Sequence, residues 1–515
     1  MTQRKCYTAI LAIALATFSS QAAKPYKYDY LYKNLPFEMP KVQAPAIPNR
    51  SVSIVDFGAI GNGKDLCTDA FAKAIDAVAA KGGGTVNVPV GVWLTGPIVF
   101  KSNINLHLET GSIILFSTNK DLYPLVETVF EGLDTKRCQS PISGRNLTNV
   151  AITGSGTIDG NGQAWRPLLK DAVTEKHWIR STSNGGAFKR PGYWVPSAQY
   201  LKGDSLADMN VPDLKTDAEF QSIRDFLRPV MISFMECKNV LLQGVLFQNS
   251  PAWNLHPLLC ENVIVEGVTV RNPSFAVNGD GIDLESCKNS LIINSSFDVG
   301  DDGICIKSGK DEDGRKRGRA CENLIVDNCT VFKGHGGFVV GSEMSGGVKN
   351  MKVTNCQFLG TDVGLRFKSK RGRGGVVENI FVENIGMLDI VTEPLLFDLY
   401  YMNKSASEAM NDPVTGDRIV PKKDVTTPTF RNIHIKNIRC SNANRAMYFN
   451  GLPENPIEGI YVEDAKITAR KGAELKESTK IILKNIDIIP ESGPAVKISN
   501  CTDLKLENVS GEIVK

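Results

Sequence analysis

The sequence predicts an all-β chain wound into a solenoid of short parallel strands, and three observations support this prediction. The first is a tripeptide of cysteine, a charged residue and asparagine that recurs along the middle of the chain. It occurs at Cys237-Lys238-Asn239, Cys260-Glu261-Asn262, Cys287-Lys288-Asn289 and Cys321-Glu322-Asn323. The second is a pair of short alternating apolar runs, rich in β-branched residues, that follows each asparagine, as in residues 263–270. The third is that no helical period of meaningful length separates these runs, which argues against a βαβ barrel.

Repetition of this kind is typical of a solenoid, because a single coil cannot bury its apolar face and stacking on its neighbours does so. Weaker copies contain Asn350, Asn379 and Asn432, so the seven asparagines are 23, 27, 34, 27, 29 and 53 residues apart. We interpret the last gap as about two repeats that include a polar insertion at residues 403–427. We expect every asparagine to occupy the same turn and to stack its amide on the next one. A β-sandwich is the structural rival, but its turns would not place the same tripeptide in every repeat.

The N-terminus predicts an export signal over residues 1–22. Arg4 and Lys5 precede an apolar run at residues 7–18, which is too short to span a bilayer, and small residues at positions 20 and 22 suit a cleavage site. A buried N-terminal helix is the alternative. We expect the mature protein to have no membrane span and to lie in the periplasm, outside the cell or at the cell surface. Residues 23–50 form a lead segment rich in proline and tyrosine.

Residues 51–515 are predicted to form the β-helix domain, with a capping helix at its N-terminal end. The segment 65–82 has Thr68 and Asp69 as candidate caps, places Phe71, Ile75 and Val78 on one face, and ends at a glycine run. Such a helix would cover the open end of the solenoid. Residues 165–228 break the period and are rich in aromatic and basic residues. We interpret them as a long excursion over one face, which is usually functional.

Composition excludes several classes of protein. The net charge is +3, from 59 basic and 56 acidic residues, and no basic run suggests a nucleic-acid partner. Removal of Cys6 from the 12 cysteines would leave an odd number. We expect most to be reduced core residues, with one or two bridges that the sequence does not assign. No Cys-x-x-Cys pair indicates zinc, and we expect a monomer without cofactor or metal.

The candidate site begins with Asn278-Gly279-Asp280 and Gly300-Asp301-Asp302. Carboxylates that share a site raise at least one pKa, which separates a proton donor from a base. Asp280 precedes Asp301 by 21 residues, and further steps of 33 and 31 residues lead from Asp302 to His335 and on to Arg366. Neighbouring strands lie about 4.8 Å apart, so these residues are predicted to line up across four successive coils, with Lys368 beside Arg366.

This set suits the hydrolysis of a glycosidic bond, which needs one carboxylic acid and one carboxylate. Arg366 and Lys368 could hold the carboxylates of uronic acids. Each residue also has a plainer interpretation, because Asp-Asp in a glycine-rich turn is usually turn chemistry and a basic run is usually a solvated loop. Calcium binding by clustered aspartates is a further alternative, although the adjacent cations would compete with the ion.

These motifs resemble glycoside hydrolase family 28, the polygalacturonases, from about Ser53 to Lys515. The resemblance rests on a Val-Asp-Phe-Gly-Ala signature at residues 55–59 and on four ordered motifs. They are Asn278-Gly279-Asp280, Gly300-Asp301-Asp302, Gly334-His335-Gly336 and Arg366-Phe367-Lys368. Gly279 and Phe367 stand where threonine and isoleucine are common in the family, and neither change removes a functional group.

The resemblance implies a right-handed parallel β-helix that hydrolyses pectic polysaccharide or oligogalacturonide with inversion. Carried onto matching positions, Asp301 is the general acid, Asp280 and Asp302 hold and activate the water, and His335 assists protonation. Arg366 and Lys368 bind galacturonate, with Asn278 as a further substrate contact. Asp283, which follows the first motif, has no assigned role and is taken as a turn or support residue.

The excursion at residues 165–228 is similar to insertions that close one end of the cleft in exo-acting bacterial members, so we expect exo action. The alternatives are an endo-polygalacturonase and a relative acting on rhamnogalacturonan or decorated pectin, although His335 favours galacturonan. More distant alternatives are a pectate lyase, which shares the β-helix but uses calcium, and a non-catalytic β-helix adhesin.

Overall fold

A computed structural model describes residues 26–183, 185–206, 210–402 and 420–515. The predicted signal peptide and most of the polar insertion lie outside the described residues. The chain divides into two compact units, residues 1–35 and 36–515. The described part of the first unit contains one short 3₁₀ helix, Asp29–Tyr32.

Residues 36–515 form a parallel β-helix whose 33 strands make a continuous sheet with three faces, here called A, B and C in the order in which each coil visits them. The strands that begin on face A are Ser51–Ser53, Gly84–Val88, Ile104–Leu108, Thr148–Gly154, Lys238–Gln243, Glu261–Glu266, Lys288–Ile293, Cys321–Asp327, Val348–Thr354, Val376–Ile390, Thr429–Ala443, Ile457–Lys476, Ser478–Ser499 and Thr502–Val509. Those of face B alone are Gly91–Thr95, Ser112–Phe116, Thr157–Asp159, Leu246–Gln248, Thr269–Arg271, Ser296–Asp298, Thr330–Phe332 and Gln357–Leu359. Those of face C alone are Ile98–Val99, Ile142–Arg145, Ile232–Met235, Leu255–Leu258, Ile282–Glu285, Asp302–Lys307, Gly336–Val340, Val363–Lys368, Glu393–Asp398, Arg445–Asn450 and Ile513–Val514. Long strands such as Val376–Ile390 continue from face A into face B.

The remaining elements are short and lie at the N-terminal end or in the connections. An antiparallel hairpin joins Leu125–Phe130 to Leu133–Cys138, and a small antiparallel sheet contains Leu168–Leu169, Ala187–Arg190 and Tyr193–Val195. The α-helices are Thr68–Ala79, Glu175–Thr182, Ala198–Asp204, Asp217–Ser222 and Asp311–Arg317. The 3₁₀ helices of this unit are Ile54–Phe57, Lys120–Leu122, Gly162–Ala164, Lys170–Ala172 and Arg224–Phe226.

The core consists of side chains that repeat at the same position in every coil. On face C, strand register stacks Ile282, Ile304, Phe338, Leu365 and Leu395 on successive coils, and all five are fully buried. Burying a side chain of this size stabilises the fold by about 1.5–3 kcal/mol. The column therefore fixes the register of the strands that carry the candidate site.

The predicted asparagine ladder is present along one edge of face A. Asn262 donates to Asn239 at 3.0 Å, and Asn323 donates to Asn289 at 2.9 Å. Every ladder asparagine has a positive φ, such as 61° at Asn323, a conformation that asparagine tolerates better than most residues. The ladder continues through Asn350, Asn379 and Asn432.

The interpretation of the 53-residue gap as two repeats is wrong. Val377 pairs with Phe430 and Ile380 pairs with Ile433, so Asn379 and Asn432 lie on adjacent coils. The gap is one coil with a long insertion between face C and the next face A. The insertion does not disturb the register, because both neighbouring strands keep their partners.

The N-terminal helix forms as Thr68–Ala79, and its residues Phe71, Ile75 and Val78 are buried against the first coils. The predicted caps are wrong, because Cys67 occupies the N-cap position without a side-chain bond and Thr68 accepts the Gly96 N–H at 2.7 Å instead. Thr68 therefore ties the helix to the coil beneath it.

The cysteines from Cys67 to Cys501 are free thiols, and ten of these eleven are buried. The one or two bridges expected from the sequence do not occur in the described part of the chain. The tripeptide cysteines point inward, as Cys260 donates to the Phe234 carbonyl at 3.2 Å. Within the described ranges, no helix is both long and apolar enough to cross a membrane.

Candidate active site

The candidate residues lie where the chain passes from face B to face C. Asp280 precedes Ile282–Glu285, Asp301 precedes Asp302–Lys307, and His335 precedes Gly336–Val340. Arg366 and Lys368 lie in the next strand of face C, Val363–Lys368. These four strands pair in succession, so the structure brings the residues together on four successive coils, as the spacing predicts.

Asp302 is buried between two cations. Its Oδ1 accepts from Arg366 Nη1 at 3.0 Å and its Oδ2 accepts from Lys368 Nζ at 2.7 Å. Burial opposes the charge on Asp302, but Lys368, Arg366 and Lys307 outweigh it and hold the pKa of this carboxyl well below its usual range. The surroundings of Asp302 therefore favour its ionised form.

Asp280 is also buried, with 3% of its surface exposed, but no cation among the described residues forms an ion pair with it. Its Oδ1 is fully buried without a hydrogen-bond partner among the described residues. Burial, followed by the charges of Asp283 and Asp301, raises the pKa of Asp280 well above its usual range. Two neighbouring carboxyls, Asp280 and Asp302, are thus driven in opposite directions by their surroundings.

Asp301 lies at the edge of the site and pairs with a histidine. Its Oδ1 accepts the Asp302 backbone N–H at 3.0 Å and lies 3.1 Å from His335 Nδ1. The His335 side chain is half exposed, and its Nε2 lies 3.8 Å from Asp362 Oδ2. The hydrogen bond to Asp301 is the main cause that raises the pKa of His335, against a smaller opposing effect of burial.

Beneath the aspartates lies a buried ionic cluster that the sequence did not reveal. Lys307 Nζ lies 3.0 Å from Glu343 Oε2, 3.5 Å from Asp283 Oδ1 and 4.7 Å from the Trp253 ring centre. Burial and repulsion from the neighbouring acids raise the pKa of Asp283, although Lys307 partly opposes this rise. Asp283 lies in a strand rather than a turn, which leaves only the support role. In the strand Asp302–Lys307, Ile304 and Ile306 face the core. The alternation of a strand therefore places Lys307 on the outer side of the coil, and this was the available signal.

Asn278 adopts a left-handed conformation, with φ of 53°, immediately before the glycine and Asp280. Its Oδ1 accepts from Arg228 Nη2 at 2.9 Å. Arg228 is fully buried at the end of the excursion, and its Nη1 also donates to the carbonyls of Pro251 and Val277 at 2.9 Å. Through Arg228, the excursion therefore holds the turn that carries Asp280 in place.

Two other basic residues of the Lys368–Arg373 run, Arg371 and Arg373, have structural partners. Arg371 binds Glu454 through two hydrogen bonds of 2.5 and 2.8 Å. Arg373 is buried, donates to the Ser342 carbonyl at 3.1 Å and pairs with Asp311. These two arginines therefore hold the loop in place and do not form an open cationic patch at the aspartates.

The described residues include one group that approaches metal-ligand geometry, in which Asp280, Asp302 and Cys305 bring potential ligand atoms within 4.8 Å of one another. The group does not suit calcium, which takes six to eight oxygen ligands, because one ligand is a thiol. Both oxygens of Asp302 already accept from cations.

A hairpin that the sequence analysis missed closes the N-terminal side of the site. Val129 packs on Met235 and Leu258, and Phe130 stacks on Trp253 with ring centres 4.7 Å apart. At the hairpin tip, Glu131 and Gly132 reach the loop after Asp302–Lys307, where the Lys310 N–H donates to Gly132 at 3.3 Å. Asn210, from the excursion, donates to Glu131 at 2.6 Å. The hairpin thus crosses face C directly before the aspartates.

A parallel β-helix that groups three aspartates, a histidine and two cations where face B meets face C has the architecture of a glycoside hydrolase. A model of one such family, the Glycosyl hydrolases family 28, matches residues 217–487, and the chain belongs to that family.

Similarity to individual proteins supports membership in this family. An exopolygalacturonase from Thermotoga maritima is 32% identical in sequence with a TM-score of 0.68, and the match covers 87% of this chain and 94% of that one. A probable polygalacturonase from Vitis vinifera is 28% identical over 81% of this chain and 74% of the relative. An endo-polygalacturonase from Pectobacterium carotovorum is 29% identical over 75% of this chain and 80% of the relative.

Proposed function

We propose that this protein is a polygalacturonase that hydrolyses α-1,4 linkages between galacturonate residues with inversion. The observation that carries the proposal is the difference in surroundings among three neighbouring aspartates. Asp302 is paired with two cations, Asp280 is buried and has no ion pair among the described residues, and Asp301 faces His335 at the edge of the site. Inverting hydrolysis needs carboxyl groups that are kept in different protonation states.

Asp301 is the general acid in this proposal. Its Oδ1 is engaged by the Asp302 N–H and by His335, so Oδ2 is the oxygen that carries a proton to the departing glycosidic oxygen. His335 is half exposed and its pKa is raised. It can therefore take a proton from solvent and return it to Asp301 after each turnover.

Asp302 is the general base in this proposal. Because it stays ionised, it can accept a proton from the water that attacks the anomeric carbon, and Asp280 orients the same water from the preceding coil. Arg366 and Lys368 each retain N–H groups that do not bind Asp302, and these are the proposed contacts to the substrate carboxylate. Asn278 binds Arg228 through its oxygen, which leaves its NH₂ group to donate to a sugar hydroxyl.

We propose exo action on the basis of the hairpin. The hairpin covers the coils before Asp280, and its Glu131 accepts a hydrogen bond from Asn210. A long polymer therefore could not extend past the site on this side. The similarity to the Thermotoga exopolygalacturonase supports the same proposal. We further propose that the protein is exported, since residues 1–22 have the composition of a signal peptide. The monomeric state stays a prediction.

Product analysis on polygalacturonate and on defined oligogalacturonates tests these proposals. We expect monomer or dimer from the first time point, with the first-formed anomer inverted by NMR. An early ladder of mid-length products would refute exo action and leave hydrolysis standing. Retained configuration would refute inversion. An unsaturated product that absorbs in the ultraviolet, lost with chelator, would replace hydrolysis by elimination.

A further inference from the structure

A cavity of about 1000 Å³ lies between the start of the excursion and the turns that lead into face C. We call it the lateral pocket. Its lining includes four side chains that can carry positive charge and two aromatic rings, and no acidic residue of the described chain takes part. These six are Arg166, Lys176, His177, Arg180, Trp194 and Phe275.

Arg166 gives the lateral pocket a fixed positive charge at its base. It is 4% exposed, its Nη1 donates to the Ser250 carbonyl at 3.2 Å, and its Nε is buried without a partner among the described residues. Burial is the main cause that lowers the pKa of Arg166 to about 9, followed by repulsion from Arg228. Asp159 partly opposes this lowering, but no carboxylate of the described residues forms an ion pair with Arg166. A buried cation in these surroundings favours an anionic ligand.

The rim is more exposed and comes from one helix, Glu175–Thr182. Lys176 and Arg180 are four residues apart and therefore share a face of this helix. His177 contacts the Phe275 ring edge-on, with ring centres 5.5 Å apart. The partly exposed Phe275 offers an apolar surface against which a pyranose ring can pack.

The lateral pocket lies next to the proposed active site. Pro273 and Phe275 line it from the turn between faces B and C, and the corresponding turn of the next coil carries Asp301. The two turns touch, since a side chain at Gly300 would meet the Pro273 carbonyl oxygen at 2.5 Å. Adjacent coils are about 4.8 Å apart. A sugar chain bound at Asp301 can therefore extend into the lateral pocket over a short distance.

We propose that the lateral pocket is a second binding site for an acidic oligosaccharide, which holds a galacturonate unit remote from the bond being cleaved. The choice of galacturonate rests on the proposed function, whereas the preference for an anionic sugar rests on the lining alone. Arginine and lysine bind carboxylates and the aromatic surface packs against the ring. The pocket would strengthen binding of longer chains without taking part in the chemistry.

The test uses the full chain with Asp301→Asn to prevent turnover, and compares it with the same protein carrying Lys176→Glu and Arg180→Glu. Both rim residues are exposed, and Lys81→Glu is the matched control on a distant exposed lysine. Thermal unfolding of the three proteins checks that the fold is unchanged. Calorimetric titration with hexagalacturonate should show an affinity about 10- to 100-fold lower in the double variant, from two lost charge-assisted contacts. Digalacturonate should bind all three proteins alike.

Equal affinity for hexagalacturonate in the double variant and the control would overturn the lateral pocket proposal. In the otherwise wild-type enzyme, the double variant should raise KM for the hexamer and leave kcat unchanged. A fall in kcat with KM unchanged would also overturn it. Failure of the proposed function looks different, because the wild-type protein would then not cleave oligogalacturonate at all, and the binding comparison could still show the loss.

Discussion

Lys368 Nζ lies 2.7 Å from Asp302 Oδ2 across two coils of the β-helix, and their side chains are only 7% and 2% exposed. Their strands do not pair directly, since Gly336–Val340 lies between them. The ion pair thus spans three strands of face C and holds one carboxylate ionised at the centre of the site. Removing one partner of a buried pair typically costs about 3–5 kcal/mol.

Asp302→Asn should lower kcat on trigalacturonate by about 10²- to 10⁴-fold, the usual contribution of a general base. The substitution removes the proton acceptor and leaves Lys368 and Arg366 without their counter-charge. Steady-state kinetics with reducing-sugar detection measures the change. Asp503→Asn, at an exposed position far along the chain, is the control and should be neutral. Activity within threefold of wild type would remove Asp302 from the mechanism.

The alkaline limb of the pH–activity profile should belong to His335. Its pKa is raised above 6.5 by Asp301, so the imidazolium persists into the neutral range and is lost as pH rises through the raised value. The stabilising contact with Asp301 follows the same direction: it is complete below the unfolded pKa and disappears above the folded one. His335→Gln should therefore lower kcat and remove this limb. An unchanged limb in the variant would assign it to another group.

The substitution Asp283→Asn should stabilise the protein at pH 7, even though Asp283 is a support residue of the site. The pKa of Asp283 is raised above 3.8, so ionising it in the folded state costs stability once pH exceeds that unfolded value. Thermal unfolding at pH 7 should show a higher Tm for the variant, and the gain should vanish below pH 3.8. Asp302→Asn is the matched contrast: because the pKa of Asp302 is lowered, it should destabilise above pH 3.8. Equal effects of both variants would contradict these assignments.

Shortening the hairpin should convert exo into endo action. Thr128 pairs with Thr135, so residues 129–134 can be replaced by Asn-Gly, which closes a two-residue hairpin turn. The shortened variant should release mid-length products from polygalacturonate early in the reaction, measured by chromatography. A milder variant, Glu131→Ala with Asn210→Ala, only loosens the tip and should give a smaller change in the same direction. Unchanged product lengths in both would show that the hairpin does not set the cleavage mode.

The sequence could predict the β-helix and the alignment of the candidate residues on successive coils. The short motifs contain both the repeat spacing and the side chains of the site. Asp280, Asp301 and His335 follow short face-B strands at one-coil spacing, so local signals determine their positions. The charge states could not be predicted in the same way. Asp302 has a lowered pKa and Asp280 a raised one because Lys368 binds Asp302. That contact depends on the register of strands that carry residues 66 positions apart in the sequence.

The connections were harder to predict for a different reason. The hairpin sequence at residues 125–138 contains short runs with β-branched residues, as the coil strands do, and the Glu131-Gly132 pair at its turn is the signal for antiparallel pairing. The gap before Asn432 was misinterpreted because an insertion adds length without changing pairing. In a solenoid, loops can grow at one turn while the coils keep their contacts, so length alone does not count coils.

The asparagine ladder should be a cooperative source of stability, strongest at its centre. Asn323 donates to Asn289 at 2.9 Å and accepts from Asn350 at 3.0 Å, and its φ is 61°. Asn323→Ala should cost roughly 3 kcal/mol, from two hydrogen bonds of about 1 kcal/mol each and a left-handed backbone that costs alanine about 1–2 kcal/mol. Asn323→Gly should recover the backbone part only, because glycine tolerates the conformation. Asn508→Ala, at the exposed C-terminal end of a second ladder with one bond to Asn485, should cost less. Urea unfolding measures all three, and an equal loss at Asn323 and Asn508 would show that stacking along the ladder adds nothing to the backbone preference.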